Sequence, residues 1–328
     1  MKKNIIYIFT ILLIVVIASI FTKLIFKKRD RSNIENIKVA EVTHSIFYTP
    51  FYVAIEKGYF EEYGINIDLI LVSGSDNVAA SVLSKDTNIG LAGPESAIFV
   101  YNGGENDYLQ VFAGLTKKDG QFILGRSKNF KWEDLKGREI LVGRSTGMPA
   151  MSFFKALENK GIDKSEVNIN TSIEFAELSG SFIGGVGDYV NLFEPLASKL
   201  EKSGNGYVLT SVGDASDNFP YTAFYARKSF LNDNKELLSN FNKALTKGME
   251  YTLNNSSEDI AKVIQNMFSD TSLNDLKMVI ERYKNADVWL SNTYIEEEFY
   301  NTLINLLKDN KLINKDIPYN DLVVNINE

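Results

Sequence analysis

The sequence predicts an α/β protein of two similar lobes. Strand-like and helix-like runs alternate from Ile37 onward, which is the order expected of a sheet with helices on its faces. The alternation restarts near Trp132. A helix, a glycine and a strand also follow one another twice, at Glu61–Leu69 (EEYGINIDL) and at Glu158–Ile169 (ENKGIDKSEVNI), so we expect both lobes to share one plan.

Apolar spacing and turn residues predict the elements of the first lobe. Thr49–Tyr59 has helical spacing and ends near Gly58, whereas Pro94 lies in the first turn of the helix that it opens. Ile65–Val72 alternates as a half-buried strand does. The predicted strands are Ile37–Val42, Ile65–Val72, Asn88–Ala92 and Tyr108–Leu115, and the predicted helices are Thr49–Tyr59, Asn77–Ser84 and Pro94–Tyr101.

The second lobe and the C-terminal part follow from the same signals. Gly147–Asn159 has its apolar side chains on one helical face. The other predicted elements here are a short helix at Trp132–Lys136 and strands at Glu139–Gly143, Val167–Asn170, Asp188–Phe193 and Tyr207–Ser211. The C-terminal part is predicted to be mostly helical, at Asp259–Phe268, Ser272–Ala286 and Tyr294–Lys308 after an apolar stripe of Leu238, Phe241, Leu245 and Met249. We interpret these helices as scaffold.

Residues 1–32 are predicted to be a membrane anchor or signal segment. Ile5–Thr22 carries no charge, and basic residues flank it on both sides. A bilayer is crossed by ~17–25 apolar residues, whereas the apolar core of a cleaved signal is usually ~7–15 residues long. We therefore favour an uncleaved anchor over a cleaved signal. The flanking charges leave the orientation open, because basic residues lie at both ends.

Composition excludes several functional classes. The chain has no cysteine and a single histidine, so it has no thiolate metal site, no catalytic cysteine and little material for histidine-based chemistry. Residues 1–31 hold seven basic residues and one acid, so the remainder carries 28 basic and 41 acidic side chains, a net charge of −13. Such a surface is unfavourable for nucleic acid, which requires a basic footprint.

Five loops place small or polar residues between a strand and a helix. Ligands of open α/β sheets bind beyond the carboxyl ends of the strands, where these loops are expected to lie. Each loop can also be explained by helix capping alone. The loops are THSIFYTP, SGSDN, GPESA, GRSTGMP and GDYVNLFEP. GRSTG is not a phosphate loop, and SGSD is not a nucleophile elbow.

Three segments resemble the solute-binding proteins of ABC importers, specifically the class that binds sulfonates, nitrate, taurine and pyrimidine precursors of thiamine. FYVAIEKGYFEEYGINIDL resembles the motif A-x-x-K-G-[YF]-F-x-x-x-G-[LI] that follows the first strand of these proteins. KWEDLKGREILVG resembles their entry into the second lobe. GDYVNLFEP resembles their G-x-x-D-A-x-x-x-x-E-P stretch, with Tyr189 where alanine is usual.

The resemblance implies a two-lobed fold of the type II periplasmic-binding-protein class, with two crossover hinge strands. The crossings would fall near Thr116–Gln121 and Asp214–Pro220. Residues 33–120 would then begin the first lobe, 121–217 would form the second, and 218–328 would return to the first and add the C-terminal helices. Such a domain works outside the cytoplasmic membrane, closes on a small solute and docks on an ABC permease with its ATPase.

The resemblance also places the candidate binding residues. We expect the cleft to be lined by Ser45, Phe47, Tyr48, Ser75, Glu95, Ser96, Arg144, Thr146, Met148, Asp188, Tyr189, Glu194 and Tyr221. Relatives that bind pyrimidine precursors carry a histidine where Tyr48 stands. His44 is open to two interpretations, a structural or rim role, which we favour, and ligand contact. The carboxylates Glu95, Asp188 and Glu194 favour a neutral or amine-bearing heterocycle over a sulfonate.

Two other functions remain open. One is a pyrimidine synthase of thiamine biosynthesis, which shares this fold but uses a cysteine-rich motif, pyridoxal phosphate and active-site histidine. The other is a ligand sensor that takes no part in transport. We expect a monomeric binding domain without catalysis, cofactor, metal or nucleic-acid partner.

Overall fold

A computed structural model of the protein describes residues 34–326. The predicted anchor or signal at residues 1–32 lies outside the described residues, so it stays a prediction. Among residues 34–326, no helix combines the length and the apolarity that a bilayer span requires.

The strands form two separate sheets. They are β1 (Glu35–Glu41), β2 (Ile65–Leu71), β3 (Ile89–Ala92), β4 (Leu109–Thr116), β5 (Phe122–Gly125), β6 (Glu139–Leu141), β7 (Asn168–Asn170), β8 (Tyr189–Leu192), β9 (Tyr207–Ser211) and β10 (Thr222–Arg227). The first sheet has the order β2-β1-β3-β10-β4, and the second has the order β7-β6-β8-β5-β9. In each sheet the first three strands of this order are parallel to one another. The fourth strand, β10 or β5, pairs antiparallel with the strand on either side of it.

Helices cover both sheets. They are α1 (Thr49–Glu56), α2 (Tyr59–Glu62), α3 (Ser75–Leu83), α4 (Glu95–Asn102), α5 (Met148–Asn159), α6 (Leu178–Ile183), α7 (Leu196–Lys202), α8 (Lys228–Asp233), α9 (Lys235–Asn254), α10 (Ser257–Ile264), α11 (Leu273–Asn285), α12 (Glu297–Asp309) and α13 (Tyr319–Leu322). Short 3-10 turns add to them, among which Ile46–Tyr48 and Gln265–Phe268 matter below.

The C-terminal helices belong to the first lobe. Helix α9 packs on α1 and α2, α10 packs on α1, and α11 packs on the Ile46–Tyr48 turn. Gly248 of α9 allows the close approach, because a Cβ there would lie 2.2 Å from the carbonyl oxygen of Pro50. The predicted role of these helices as scaffold fits their apolar faces, which are buried against the lobe.

Two segments join the lobes. Residues 117–121 lead from β4 of the first sheet to β5 of the second, and residues 212–221 lead from β9 back to β10. The predicted fold class, two α/β lobes with two crossings, is therefore confirmed. Each lobe is an α/β layer in its own right, with its own parallel core of strands.

Two differences from the predicted elements bear on the architecture. The predicted helix Thr49–Tyr59 is split into α1 and α2, because Gly58 adopts a left-handed φ of +70°. Strands β5 and β10 are missing from the predicted set. FILG in β5 is buried throughout, so it lacks the alternation that marks a half-buried strand. Strand β10 begins two residues after Pro220, at the end of the second crossing.

Candidate functional site

Three loops of the first sheet converge at the carboxyl ends of its parallel strands. The loop after β1 carries Phe47 and Tyr48, the loop after β2 carries Ser75, and the loop after β3 carries Glu95. Ser45 fixes the first loop, because its Oγ accepts a hydrogen bond of 3.2 Å from the Phe47 N–H. Phe47 and Tyr48 are thereby buried at the junction of the lobes.

Glu95 is a buried carboxyl at the start of α4. It is 2% exposed, and its Oε2 has no hydrogen-bond partner among the described residues. Burial raises the pKa of Glu95 to about 8. Hydrogen bonds from its own N–H and from the Ser75 hydroxyl act in the opposite direction and lower the pKa. The carboxyl lies against the backbone at Gly93, where an added Cβ would be 2.0 Å from Oε2.

Phenols surround this carboxyl. Tyr225 of β10 packs over Gly90, and its hydroxyl lies 3.2 Å from Ser96 Oγ, which also donates a hydrogen bond of 2.9 Å to the Gly93 carbonyl. Burial raises the pKa of Tyr48 and of Tyr225, and the nearby Glu95 carboxyl raises both further. These phenols therefore stay protonated and offer hydrogen bonds.

The two crossing segments contribute a second buried carboxyl. Asp119 is fully buried, and its Oδ1 accepts a hydrogen bond of 2.6 Å from the Gln121 N–H, whereas its Oδ2 has no partner. Burial raises the pKa of Asp119 to about 8. The Gln121 N–H and the hydroxyls of Ser152 and Tyr221 act in the opposite direction and lower the pKa. Burial also raises the pKa of Tyr221, and the carboxyls of Asp119 and Glu95 raise it further.

Further buried polar groups without partners lie on the second lobe and the crossings. The Ser152 hydroxyl of α5 and the Tyr221 hydroxyl lie close to Asp119 without forming a hydrogen bond to it. Both side-chain amide atoms of Gln121 and of Asn191 are also unpaired. Asn191 of β8 pairs with Ile123 of β5, so it shares a sheet face with Gln121, two residues before Ile123.

Aromatic rings from both lobes meet beside these groups. The ring of Phe47 lies 5.3 Å from that of Phe193, which follows β8, and 5.8 Å from that of Tyr221. Tyr283 of α11 lies 5.3 Å from Phe47 on another side, and Phe175 of the second lobe lies 5.6 Å from Phe193. The junction of the lobes thus combines flat apolar surfaces with unpaired polar atoms.

The structure brings together Phe47, Tyr48, Ser75, Glu95, Ser96 and Tyr221 of the predicted residues. It places Asp188 and Tyr189 elsewhere, at the amino end of β8, opposite to Phe193. Asp188 accepts a hydrogen bond of 3.0 Å from the Glu139 N–H and lies 3.6 Å from Arg138. We therefore leave Asp188 and Tyr189 out of the candidate site.

Glu194 is buried at the junction but is already paired. Its carboxylate accepts hydrogen bonds from the Ser198 N–H and hydroxyl, both of 2.9 Å, and it forms an ion pair with Arg282. Both oxygens of this carboxylate already have partners within the protein, so Glu194 acts as a structural group between the second lobe and α11.

Arg144, Thr146 and Met148 lie at the start of α5. Arg144 is exposed, with its Nε 2.9 Å from a Glu174 oxygen and its guanidinium 3.7 Å from Asp76 of the first lobe. The two carboxylates raise the pKa of Arg144. Thr146 is exposed, and Met148 is buried one helical turn before Ser152. This end of α5 therefore forms a rim with an ion pair across the lobes.

His44 has a structural role. Its Nδ1 lies 2.8 Å from Glu41 Oε1, its Nε2 lies 2.9 Å from the Met267 carbonyl oxygen, and its ring stacks on Phe268 at 4.6 Å. These contacts tie the loop after β1 to the Gln265–Phe268 turn. In residues 34–326, no cluster of three or more histidine or carboxylate side chains is arranged to hold a metal ion.

Sequence reasoning missed Asp119, Gln121, Ser152, Asn191, Phe193 and Tyr225. Asp119 and Gln121 lie in the predicted first crossing, KKDGQ. A carboxyl in a segment that joins the two lobes is the sequence signal that could have identified Asp119. Ser152 lies one turn beyond the predicted Met148, on the same helical face. The register that brings Asn191 beside β5 cannot be read from the sequence.

Solved structures of binding proteins share this fold. The alkanesulfonate-binding protein SsuA from Xanthomonas axonopodis pv. citri, bound to MOPS, is similar with a TM-score of 0.71 and 13% identity, over 88% of this chain and 98% of that chain. A ligand-binding component of an ABC-type import system from Staphylococcus aureus, with zinc bound, has a TM-score of 0.73 and 14% identity, over 89% of this chain and 97% of that chain.

Sequence comparison gives the family. YtlA of Bacillus subtilis (strain 168), which is named as a binding protein, is 37% identical over 298 residues, which are 90% of this chain and 89% of that protein. The model of the family described as NMT1/THI5 like matches residues 46–259, a span that contains Phe47, Glu95, Asp119 and Tyr221. The resemblance drawn from the sequence motifs is therefore confirmed, and the chain belongs to the NMT1/THI5 like family.

Proposed function

We propose that this chain is the extracytoplasmic solute-binding component of an ABC import system. It captures a small organic solute between its lobes and delivers it to a membrane permease, held at the membrane by residues 5–22. The observation that best supports this proposal is the set of buried, unpaired polar atoms beside aromatic rings at the junction of the lobes. A buried polar atom without a partner is unfavourable, and a bound solute with matching donors and acceptors removes that cost.

Both lobes and the crossings supply part of the site. Glu95 and Tyr48 come from the first lobe, Ser152 and Asn191 from the second, and Asp119 from the first crossing. A solute that contacts both lobes binds the closed arrangement more tightly than an open one, so it shifts the population toward closure. Closure is the signal that a permease can distinguish.

The aromatic rings favour a solute with a flat ring. Phe47 of the first lobe and Phe193 of the second approach from opposite sides of the junction. A heterocycle placed there would stack on or meet the edges of these rings, which is worth roughly 0.5–1.5 kcal/mol per aromatic pair beyond area burial. Pyrimidine-like heterocycles are the first candidates, and sulfonate-like or nitrate-like solutes are the alternative.

A thermal-shift screen of the purified full-length chain tests this proposal. The screen contains aminopyrimidines, alkanesulfonates, taurine, nitrate and flavins. A ligand present at ~100 times its dissociation constant stabilises the fold by about 2.7 kcal/mol, a shift that is easily read. Phe193→Ala should lose the shift, whereas Phe130→Ala, which removes a ring packed on Tyr189 away from the junction, should keep it. No shift with any solute would count against the proposal.

Uptake separates transport from sensing. In cells that lack the chain, import of the identified solute should fall, and the wild-type gene should restore it while the Phe193→Ala variant does not. Unchanged import in the deletion strain would indicate a binding protein that senses the solute without transporting it.

A further inference from the structure

Buried carboxyls are the unusual feature of this protein. Glu41, Glu95, Asp119 and Glu194 are each 2% exposed or less, whereas the described residues contain no buried lysine or arginine. Burying a carboxylate without a partner is costly, so such groups are paired, protonated or completed by a ligand. The four groups can be sorted by whether the protein itself supplies the partner.

Two of the four have partners within the protein. Glu41 accepts a hydrogen bond of 2.5 Å from the Tyr52 hydroxyl and lies 2.8 Å from His44. Glu194 pairs with Arg282 and accepts two hydrogen bonds from Ser198. In both, a basic side chain faces the carboxylate, as expected for a structural ion pair.

Glu95 and Asp119 have no basic partner among the described residues, and both lie at the junction of the lobes. Basic side chains of the first crossing and of the rim are engaged with other carboxylates. Lys117 pairs with Asp287 at 2.7 Å, Lys118 with Asp214 at 3.4 Å, and Arg144 with Glu174 at 2.9 Å. The candidate site therefore presents carboxyl groups without a compensating positive charge.

We propose that the solute is an organic cation, an amine or amidinium borne on a flat ring, whose positive charge pairs with the Glu95 carboxylate. This inference rests on the proposed solute-binding function. Aromatic rings around Glu95 suit such a solute, because a cation over the face of a phenol gains further attraction. Tyr48 and Tyr225 of the first lobe lie close enough to Glu95 for its carboxyl to raise their pKa values. A sulfonate offers no positive charge to pair with this carboxyl and would leave it protonated.

Glu95, rather than Asp119, takes the charge. Asp119 has the Gln121 N–H bonded to one oxygen and the hydroxyls of Ser152 and Tyr221 close to it, so small rotations satisfy it within the protein. For Glu95, only the Ser75 hydroxyl and its own N–H lower the pKa through hydrogen bonds, and its Oε2 has no partner.

Binding of a cation should release a proton. With a pKa of about 8, Glu95 is mostly protonated at neutral pH in the unliganded protein. The cation stabilises the carboxylate, so the carboxyl O–H proton leaves to the buffer when the ion pair forms. The titratable groups that face Glu95 are the phenols of Tyr48, Tyr221 and Tyr225, whose raised pKa values keep them protonated throughout.

Three probes on one aminopyrimidine ring test the inference with the full-length chain. They carry an aminomethyl arm, which is cationic near neutral pH, a hydroxymethyl arm, which is neutral, and a sulfomethyl arm, which is anionic. We expect the aminomethyl probe to bind at least about tenfold more tightly than the others, a difference that corresponds to about 1.4 kcal/mol. Calorimetry in two buffers of different ionisation enthalpy should show about one proton released near pH 7.

Variants assign the effect to Glu95. Glu95→Gln, which keeps the shape and removes the charge, should abolish the preference for the aminomethyl probe and the proton release. Asp68→Asn, which removes an exposed carboxyl on β2, should change neither. Tighter binding of the sulfomethyl or hydroxymethyl probe would overturn the inference while leaving solute binding intact. Absence of binding by all three probes would overturn the inference, and the screen described above decides separately whether the chain binds any solute.

Discussion

The backbone N–H of Glu194 donates a hydrogen bond of 3.0 Å to the phenol oxygen of Tyr283. Glu194 follows β8 of the second lobe, whereas Tyr283 lies on α11 of the first. Arg282, the residue before Tyr283 on α11, forms the ion pair with the Glu194 carboxylate. One short stretch of α11 therefore holds the second lobe through both the backbone and the side chain of Glu194.

Removing Arg282 should destabilise the protein. Arg282→Met keeps the apolar stem and leaves the Glu194 carboxylate buried without its cation. We expect the free energy of unfolding to fall by roughly 2–4 kcal/mol, somewhat less than for a fully buried pair because the Arg282 side chain is 26% exposed. Urea unfolding measures the change.

Lys277→Met on the same helix is the matched control. Lys277 pairs with Glu258 at 3.4 Å, and both side chains are about half exposed, so solvent screens the pair. We expect a free energy of unfolding close to that of the wild type. Equal losses in the two variants would mean that the Glu194 pair has no special role.

Glu95 should make the unliganded protein less stable as the pH rises. Its folded-state pKa of about 8 lies above the ordinary value of 4.5, so between these values the folded state keeps a proton that the unfolded chain has lost. The free energy of unfolding therefore falls with rising pH through this window, by at most about 1.36 kcal/mol per pH unit. Glu95→Gln removes this contribution, so the variant should gain stability over the wild type from pH 5 toward pH 8.

Urea unfolding across that pH window checks the expectation, with Asp68→Asn as the comparison. The curve of the Asp68 variant should run parallel to that of the wild type, because its carboxyl is exposed. A Glu95→Gln curve that also runs parallel would show that the Glu95 carboxyl titrates normally.

His44 should stabilise the fold most at lower pH. The hydrogen bond to Glu41 raises the pKa of His44 above 6.5, against burial, which lowers it. Only the protonated ring donates from both nitrogens, to Glu41 and to the Met267 carbonyl. The stabilisation is therefore complete below the unfolded pKa of about 6.5 and is lost as the pH rises through the higher folded pKa.

The variant His44→Gln isolates this effect. The difference in free energy of unfolding between wild type and variant should be largest near pH 5.5 and should shrink by pH 8.5. The comparison within each pH cancels the contributions of Glu95 and Asp119. A difference that grows with pH would contradict the proposed role of the protonated ring.

The fold was predictable because its signals are local and repeated. Gly58 and Gly64 adopt positive φ on either side of α2, and Pro50 and Pro94 lie at helix starts, as the sequence indicates. The missed strands, β5 and β10, depend on long-range pairing instead of local signals. Their place in the sheets is set by antiparallel pairing with strands far away in sequence, which no local pattern encodes.

The site was predictable only in the first lobe. Tyr48, Ser75 and Glu95 follow parallel strands, so the rule about carboxyl ends of strands finds them. The same rule does not say which way a side chain turns after a strand. Glu194 turns to Arg282, and Asp119 acquires its surroundings only when both crossings and α5 are assembled around it.

Gly213 should be essential to the close contact of the two crossings. A Cβ at this position would lie 2.1 Å from the carbonyl oxygen of Asp119, a distance that real Cβ atoms do not show. The obstacle is backbone, so Gly213→Ala must push the crossings apart and displace Asp119. We expect a loss of roughly 1–3 kcal/mol in the free energy of unfolding, as for overpacking elsewhere, together with weaker solute binding.

Gly180→Ala distinguishes this contact from a general cost of adding a methyl group. Gly180 lies within α6, its φ is not positive, and a Cβ there would meet no atom within 4 Å. Replacing glycine by alanine in such a helix should raise the free energy of unfolding by roughly 0.5–1 kcal/mol. Opposite signs in the two variants, measured by urea unfolding, would locate the effect at the contact between Gly213 and Asp119. A tolerated Gly213→Ala with unchanged binding would show that the crossings can separate at no cost to the site.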